Sequence, residues 1–590
     1  MPLFVPRSHH PSTTVSATHT AATSTGKTIA QTPTAPAPTN VIAQAAEDYT
    51  QAQLAHLLNQ NYRPLPAAPS TPINIASFAA ELVSHPNQEF VSNLIYNLQH
   101  GFDIGYTGPQ FTSSTSNLSS ASSHPHILTN CIITELQAGH MAGPFLHQPL
   151  ANFRTSPIGA VPKKNSTAFR MITDLSSPHG SSINDYITPE DSTVHFTSFD
   201  HAALMISRLG RHSLMAKVDV KSAFRICPVL QSDWNLLGIK FLDKFFVDLR
   251  LPFGLRSSVN RFTRISDTVL WILKHNYNLH NVIHYLDDFF LAAPPHSSLC
   301  NEQLQQTISI FQHLGIPLAP EKVVGPTTCI TYLGIEIDSE NLELRLPADK
   351  FSELLDLVHQ WSNKKKCTKR DLLSLIGKLS FASKVVPSGR TFLRRLIDLS
   401  TRVSKLHHRI SLNNSARLDI HWWLTYLPTW NGRHKILDST TSLAPSLHLF
   451  TDACQESFGV FFNGKWISES WPARFLDRSI QWKELYPIFL SCLIWGNHFS
   501  GKRLLFHCDN KTVVDIWQSG TSHCPYIMSL IRKLFHLAAT SQYNINIQHI
   551  RGIDNTVADC LSRLQLDKFY NLVPAADLNP TALPPDAWNT

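Results

Sequence analysis

Two groups of carboxylates stand out by their surroundings. Asp287 and Asp288 lie side by side in the apolar run VIHYLDDFFLAA, and Asp219 ends a similar run in LMAKVDVKSAF. Burying an unpaired carboxylate is costly, so such acids call for compensation. Carboxylates meeting at the ends of neighbouring strands make a site for hard divalent cations. Mg2+ takes oxygen ligands, commonly one or two carboxylates plus substrate phosphates. Two such ions about 4 Å apart activate an attacking oxygen and steady a leaving one in phosphoryl transfer. The flanking runs NVIHY and FFLAA read as a hairpin around the two acids. Neighbours on a strand face opposite ways, so at most one of the two points directly inward at a ligand. Taken singly, each acid reads equally well as a turn or strand-end residue.

The second group is spread more widely. Asp452 ends the strand-like LHLFTDA, Glu484 lies in the helical pattern QWKELYPIFLSCLIW, Asp509 follows the strand-like RLLFHC, and Asp559 sits in RGIDNTVADCLSRL, at intervals of 32, 25 and 50 residues. Any one of them alone is more often a surface residue than a ligand.

The elements that must position these acids can be read from composition and period. The 590 residues suggest about four domains as a soft prior, and 43% hydrophobic against 16% charged residues is enough for large cores. The +7 net charge suits a nucleic-acid partner and equally an ordinary slightly basic protein. Residues 1–72 are rich in Thr, Ala, Pro and Ser and are expected to be disordered. A small helical element is expected at 73–106 and a Ser/Thr-rich linker at 107–126. Strands alternate with helices over 127–345, a helical and basic stretch covers 346–440, and strands and helices alternate again over 441–566. Asn463-Gly464 signals a hairpin turn, and within the C-terminal tail 567–590 the stretch AADLNPTALPPDAWNT (575–590) looks unstructured. The ten Cys form no C-x-x-C pair and read as reduced intracellular thiols. MPLFVPRSHH has no apolar core for a signal peptide, and no apolar run of about 18 residues offers a membrane span. The expected location is therefore intracellular, cytoplasmic or nuclear.

Six blocks, in order, resemble the reverse transcriptase family: SPIGAVPKKNSTAFRMITDLSSPHGSSIND (156–185), KVDVKSAF (217–224), LPFGLRSSVNRF (251–262), YLDD (285–288), LGIPLAPEK (314–322) and YLGIEI (332–337). The resemblance implies an α+β right-hand polymerase, with fingers and palm at 127–345 and thumb or connection at 346–440. It implies template-directed DNA synthesis. Asp219, Asp287 and Asp288 match the catalytic acids, with Asp219 and Asp287 the stronger metal candidates. Phe224 matches the steric gate that excludes a 2′-hydroxyl, or else is a core aromatic. Lys163 and Arg170 match the fingers cations that hold the incoming triphosphate; Lys164 can replace Lys163. Lys322 matches the basic residue that protonates leaving pyrophosphate, or else is a surface lysine. Phe253 stands where retroviral enzymes carry Gln, which implies packing against the nucleotide, and Gly254 implies close backbone approach. Lys364, Lys365, Lys366, Lys369 and Arg370 are placed to track phosphates, which would make binding salt-sensitive; each alone is as well read as a solvated helix cap.

The order strand-Asp, helix-Glu, strand-Asp, helix-Asp resembles ribonuclease H, an α/β fold. It implies that Asp452, Glu484, Asp509 and Asp559 bind two Mg2+ and hydrolyse the RNA of an RNA–DNA hybrid. His549 fits the mobile histidine of that family, or else is a strand residue. The implied cofactors are Mg2+ or Mn2+, two per centre. The implied partners are an RNA template, a DNA or RNA primer, RNA–DNA hybrid and deoxynucleoside triphosphates, without a membrane. TVADCLSR resembles the ribonuclease H ends of retrotransposon polyproteins, and residues 81–109 resemble the region upstream of the polymerase in DIRS-type elements. Asp-Thr-Gly, Asp-Ser-Gly and an integrase finger do not occur in these residues. A Ty3-like or hepadnavirus-related polyprotein is the neighbouring alternative. A domesticated copy that only binds nucleic acid is the alternative from another class. A Gag-like interaction module over the first 125 residues is a third possibility.

Overall fold

The computed structural model describes residues 50–162, 169–386, 389–428, 434–435, 447–500, 502–541 and 543–588. The chain divides into two units, one ending at Ile330 and one beginning at Thr331.

The expectation of disorder to residue 72 is corrected over 50–72. Helix α1 (Gln51–Gln60) opens on a capping box between Thr50 and Gln53 and buries Leu54 and Leu58. An isolated ten-residue helix is marginal in water; this one is held because Leu58 joins the core around Leu128, Ile132 and Leu136. Helices α2 (Ile75–Ala80) and α3 (Gln88–His100) follow. Phe78, Leu82, Leu94 and Leu98 belong to the main core of the first unit, so this element is not a separate module. Residues 107–126 also differ from a free linker. Ser113 and Ser114 pair in parallel with Arg154 and Thr155. The Asn117 side chain donates to the Lys240 carbonyl and accepts from the Ile158 N–H. The polar residues of this stretch find partners on neighbouring strands, which composition cannot reveal.

Helix α4 (Pro125–Gln137) leads into β1 (Met141–Phe145) and then the hairpin β2 (Ile158–Pro162) and β3 (Phe169–Thr173). The hairpin tip, with Lys163 and Lys164, lies outside the described residues. Helix α5 (Phe199–Leu209) precedes β4 (Leu214–Asp219), and β5 (Gly238–Phe241) and β6 (Lys244–Asp248) form a further hairpin. Helix α6 (Ser258–His275) buries Phe262, Ile265, Val269, Ile272 and Leu273, the spacing of one helical face. Next come β7 (Val282–Tyr285), β8 (Asp288–Ala293), α7 (Leu299–His313) and β9 (Val324–Thr327). The sheet that carries the first acids is antiparallel in the order β9-β4-β8-β7. β8 is buried from Phe289 to Ala293 because both its neighbours are strands and helices cover the sheet.

The second unit opens with the hairpin β10 (Ile335–Asp338) and β11 (Glu343–Arg345) and then the helices α8 (Ala348–Ser362), α9 (Lys369–Ala382), α10 (Arg394–Thr401) and α11 (Asn414–Tyr426). A mixed five-stranded sheet follows, built from β12 (Leu447–Ala453), β13 (Ser457–Phe462), β14 (Lys465–Ser470), β15 (Arg503–Cys508) and β16 (Asn544–His549), in the order β14-β13-β12-β15-β16. Strands β12, β15 and β16 are mutually parallel. Asn463 (φ 47°) and Gly464 (φ 83°) make the two-residue turn between β13 and β14. Helix α12 (Ile480–Trp495) is buried on nearly every side, Lys483 and Glu484 included, in keeping with its mostly apolar composition. Helices α13 (Lys511–Ser519), α14 (Pro525–Ser541), α15 (Thr556–Ser562) and α16 (Leu566–Leu572) complete the unit.

The expectation of an unstructured stretch from 575 onward is overturned. The Trp466 indole N–H donates to the Asp577 carbonyl at 2.7 Å and the Tyr486 hydroxyl donates to the Ala587 carbonyl at 2.6 Å. Trp588 stacks on Tyr486 with the rings 9° from parallel. The segment is poor in regular structure, but a few aromatic anchors tie it down.

Candidate functional site

Strand register brings the first acids together. Asp219 is the last residue of β4 and pairs directly with Asp288, the first residue of β8. Asp287 lies in the turn between β7 and β8, and its carbonyl accepts from the Val220 N–H at 3.0 Å. The turn is possible because Leu286 takes a left-handed conformation, φ 55°. Lys322 donates from Nζ to Asp219 Oδ1 at 2.7 Å. Burial pushes the Asp288 carboxyl up to about 6, with Asp287 and Asp219 adding to the shift. Burial likewise raises Asp287, and Asp219 adds to it. The hydrogen bond to Asp219 raises Lys322. Asp287 and Asp288 both resist ionisation, and the donors of all three acids are hard oxygens. That chemistry fits a Mg2+-type cation.

Around this centre, Phe224 lies in the turn after β4, 8% exposed. Its ring centre is 4.9 Å from that of Phe253, which is 59% exposed. Phe262 meets Phe224 edge-on from below. Phe224 is thus anchored in the core and covered by an exposed ring, so its two sequence-level readings are compatible. Gly254 has φ 99°, and a Cβ there would come 2.9 Å from the Thr173 carbonyl. The close approach it permits is to β3 of this same chain. Arg170 is exposed on β3, opposite Val161.

Sequence reading missed a buried cluster next to Phe224. Arg225, 6% exposed, meets Asp248 at 2.7 Å and Glu135 at 2.6 Å, and Glu135 also meets His140 at 2.9 Å. The signal was an arginine flanked by apolar residues in SAFRICPV. Sequence reading also passed over His284 and its partner Asp267.

The second group converges through parallel pairing. Phe450 on β12 is level with His507 on β15, so Asp452 and Asp509, each two residues further on, emerge at the same end of adjacent strands. Glu484 enters from α12 and Asp559 from α15. One ligand atom each from Glu484, Cys508 and Asp509 lies within 4.8 Å of the others. Ser562 Oγ donates to Asp452 Oδ2. Arg563 pairs with Asp559 at 2.6 Å. Burial, followed by Asp452 and Asp509, pushes Glu484 up to about 9. Burial pushes Asp452 up to about 6, against the Ser562 hydrogen bond. Burial and Asp559 raise Asp509. Of the four acids, Glu484 and Asp509 lie in this close group, and Asp452 and Asp559 are near enough to act on their charges. Cys508 is the one soft group here, and the sequence reading did not anticipate it. His549 is the last residue of β16, paired with Cys508, which is the strand alternative.

The basic residues divide. Lys365, Lys366 and Arg370 are exposed. Lys364 lies 4.6 Å from the centre of the Trp361 ring. Lys369 donates to the Val403 carbonyl at 2.6 Å and to the Ser404 carbonyl at 3.3 Å, so its charge is engaged within the protein. Among the described residues no helix is long and apolar enough to cross a membrane.

Comparison with known proteins bears on the first centre. Residues 161–337 match the family model described as reverse transcriptase (RNA-dependent DNA polymerase). This segment is a reverse transcriptase domain. Asp219, Asp287, Asp288 and Lys322 of the domain all lie inside the match, as do Arg170, Phe224, Phe253 and Gly254. The chain is 21% identical over 432 residues to the Transposon Tf2-3 polyprotein of Schizosaccharomyces pombe, covering 69% of this chain and 29% of that protein. It is 22% identical over 546 residues to the Retrovirus-related Pol polyprotein from transposon opus of Drosophila melanogaster, covering 88% of this chain and 51% of that protein. The chain thus spans about a third to a half of the length of these relatives. A foamy viral protease-reverse transcriptase in complex with dsDNA is 16% identical, with a TM-score of 0.47, covering 88% of this chain and 98% of that one.

Proposed function

We propose that this protein is the RNA-directed DNA polymerase of a retrotransposon, joined in one chain to a ribonuclease H. The observation that carries the polymerase reading is the coincidence of the reverse transcriptase match with the register that sets Asp219 opposite Asp288. Mg2+ or Mn2+, two per centre, would be held by Asp219, Asp287 and Asp288 and by Asp452, Glu484, Asp509 and Asp559; there the ions would supply Lewis acidity to phosphoryl oxygens. The chain's own groups do the rest. Arg170, with Lys163 or Lys164, grips the triphosphate through charge-assisted hydrogen bonds. Phe224 closes the space a 2′-hydroxyl would need, and Phe253 packs against the nucleotide. As the primer 3′-oxygen bonds to the α-phosphorus and the bond to pyrophosphate breaks, Lys322 gives its proton to the leaving group. Lys365, Lys366 and Arg370 track phosphates of the template–primer.

The ribonuclease H reading is supported by four carboxylates meeting from two strand ends and two helices, with Glu484 and Asp452 raised as a cation-free acidic centre should be. His549 would then act from the end of β16. The substrates are an RNA template, a DNA or RNA primer, deoxynucleoside triphosphates and RNA–DNA hybrid. The element type we propose is DIRS-like, on the motif likeness of residues 81–109.

Primer extension and hybrid cleavage with wild type, Asp287→Asn and Asp509→Asn test both readings. Asp287→Asn should lose synthesis and keep cleavage, and Asp509→Asn should do the reverse. If each variant keeps the activity assigned to its own centre, the two-centre assignment is wrong.

A further inference from the structure

Leu286 must hold a left-handed backbone so that Asp287 and Asp288 emerge toward Asp219. A non-glycine residue persists there only when its surroundings enforce it. One side chain reaches the turn from beneath. His284, 5% exposed on β7, contacts the Leu286 carbonyl through Nδ1 at 3.3 Å and Asp267 Oδ1 through Nε2 at 2.9 Å. Its ring stacks on Phe289 of β8, its register partner, with centres 5.1 Å apart. Both polar partners offer oxygens, and each ring nitrogen meets one of them. Asp267 comes from α6, so the chain of contacts runs from that helix through the imidazole to the carbonyl just before Asp287.

We propose that His284, braced by Asp267, is a positioning residue that fixes the Leu286 turn and thereby sets the Asp287 carboxylate for cation binding at the polymerase centre. The inference rests on the polymerase reading for its consequence in catalysis, but not for its effect on the cation. Groups that orient metal-binding side chains from behind are worth about 10- to 100-fold in affinity or activity when removed. His284→Gln carries its donors on a single nitrogen, which cannot reach both partners as the two ring nitrogens do, and should fall between wild type and His284→Ala.

The test is Mn2+ binding to the full chain, followed by paramagnetic relaxation, in an Asp509→Asn background that weakens the second centre. His284→Ala should weaken the remaining site about tenfold. His284→Gln should restore part of that loss. The effect should vanish when Asp287→Asn is also present. Asp267→Ala should cause a smaller loss, and the double variant His284→Ala/Asp267→Ala should be no worse than His284→Ala alone. Primer extension should lose rate at saturating nucleotide with little change in KM. Unchanged Mn2+ affinity in His284→Ala, even with a lowered melting temperature, overturns the proposal and leaves His284 a packing residue. Additive losses in the double variant overturn the role of Asp267. Weakened Mn2+ binding in a chain that extends no primer leaves the positioning role standing and removes the polymerase reading instead.

Discussion

Asp219 and Asp288 are direct partners across the antiparallel pair β4–β8, so two like charges face each other where sheets ordinarily place complementary side chains. With both ionised, the pair would repel each other, and Lys322, 2.7 Å from Asp219, offsets part of that charge.

Asp288→Asn should therefore stabilise the chain in EDTA at pH 7. Burial, with Asp287 and Asp219 adding to it, raises its carboxyl to about 6, so the ionised form that predominates at pH 7 is the one the fold disfavours. Neutralising it should gain ~1–3 kcal/mol by urea unfolding. The same variant should gain less from added Mg2+ than wild type. Equal or lower stability of Asp288→Asn in EDTA would refute the repulsion.

Arg225 should be needed for folding of the first unit. It is shared by Glu135 and Asp248 in a buried site, and removing one partner of such a group costs about 3–5 kcal/mol. Although burial opposes it, hydrogen bonding to His140 and the Arg225 charge hold Glu135 at about 2. A depressed carboxyl contributes stability that is present above its ordinary value of about 4.5 and is lost as pH falls toward 2. Burial shifts Asp248 the other way, up to about 6, so its share acts in the opposite sense as pH rises. Glu135→Gln should therefore flatten the acid limb below pH 4.5 in urea melts. An unchanged acid limb would count against the cluster.

Phe224→Ala should relax sugar discrimination. With the ring gone, the ratio of deoxynucleotide to ribonucleotide incorporation should fall about tenfold or more in single-nucleotide extension. Phe253→Ala, which removes an exposed ring tilted against Phe224, should chiefly raise nucleotide KM. A ratio unchanged by Phe224→Ala would make it a core aromatic only.

The tail should stabilise the second unit. Deleting residues 577–590 leaves the Trp466 N–H and the buried Tyr486 hydroxyl without their acceptors, at about 1–3 kcal/mol each. The shortened chain should unfold at lower urea and be cut faster by protease between 447 and 572. Identical unfolding would show the tail to be passive.

Much of the chemistry was legible in the sequence because its motifs are local. YLDD, KVDVKSAF and LGIPLAPEK place acid, aromatic and lysine within short spans, and the hairpin at Asn463-Gly464 follows from the φ those residues tolerate. Residues 50–72, 107–126 and 577–588 were misread because each is held by partners far along the chain. Asn117 looks like a linker residue until β2 and β5 supply its hydrogen bonds.

The sequence by itself determined which side chains are acidic, which stretches alternate in strand and helix period, and the order in which they come. Only the tertiary structure decided that Asp219 meets Asp288, that Asp452 and Asp509 leave adjacent parallel strands level with each other, that Arg225 meets Glu135 and Asp248, and that His284 reaches the Leu286 turn. The reason is physical: strand register and helix docking are set by the burial of whole faces, and that sum is taken over residues distant in sequence.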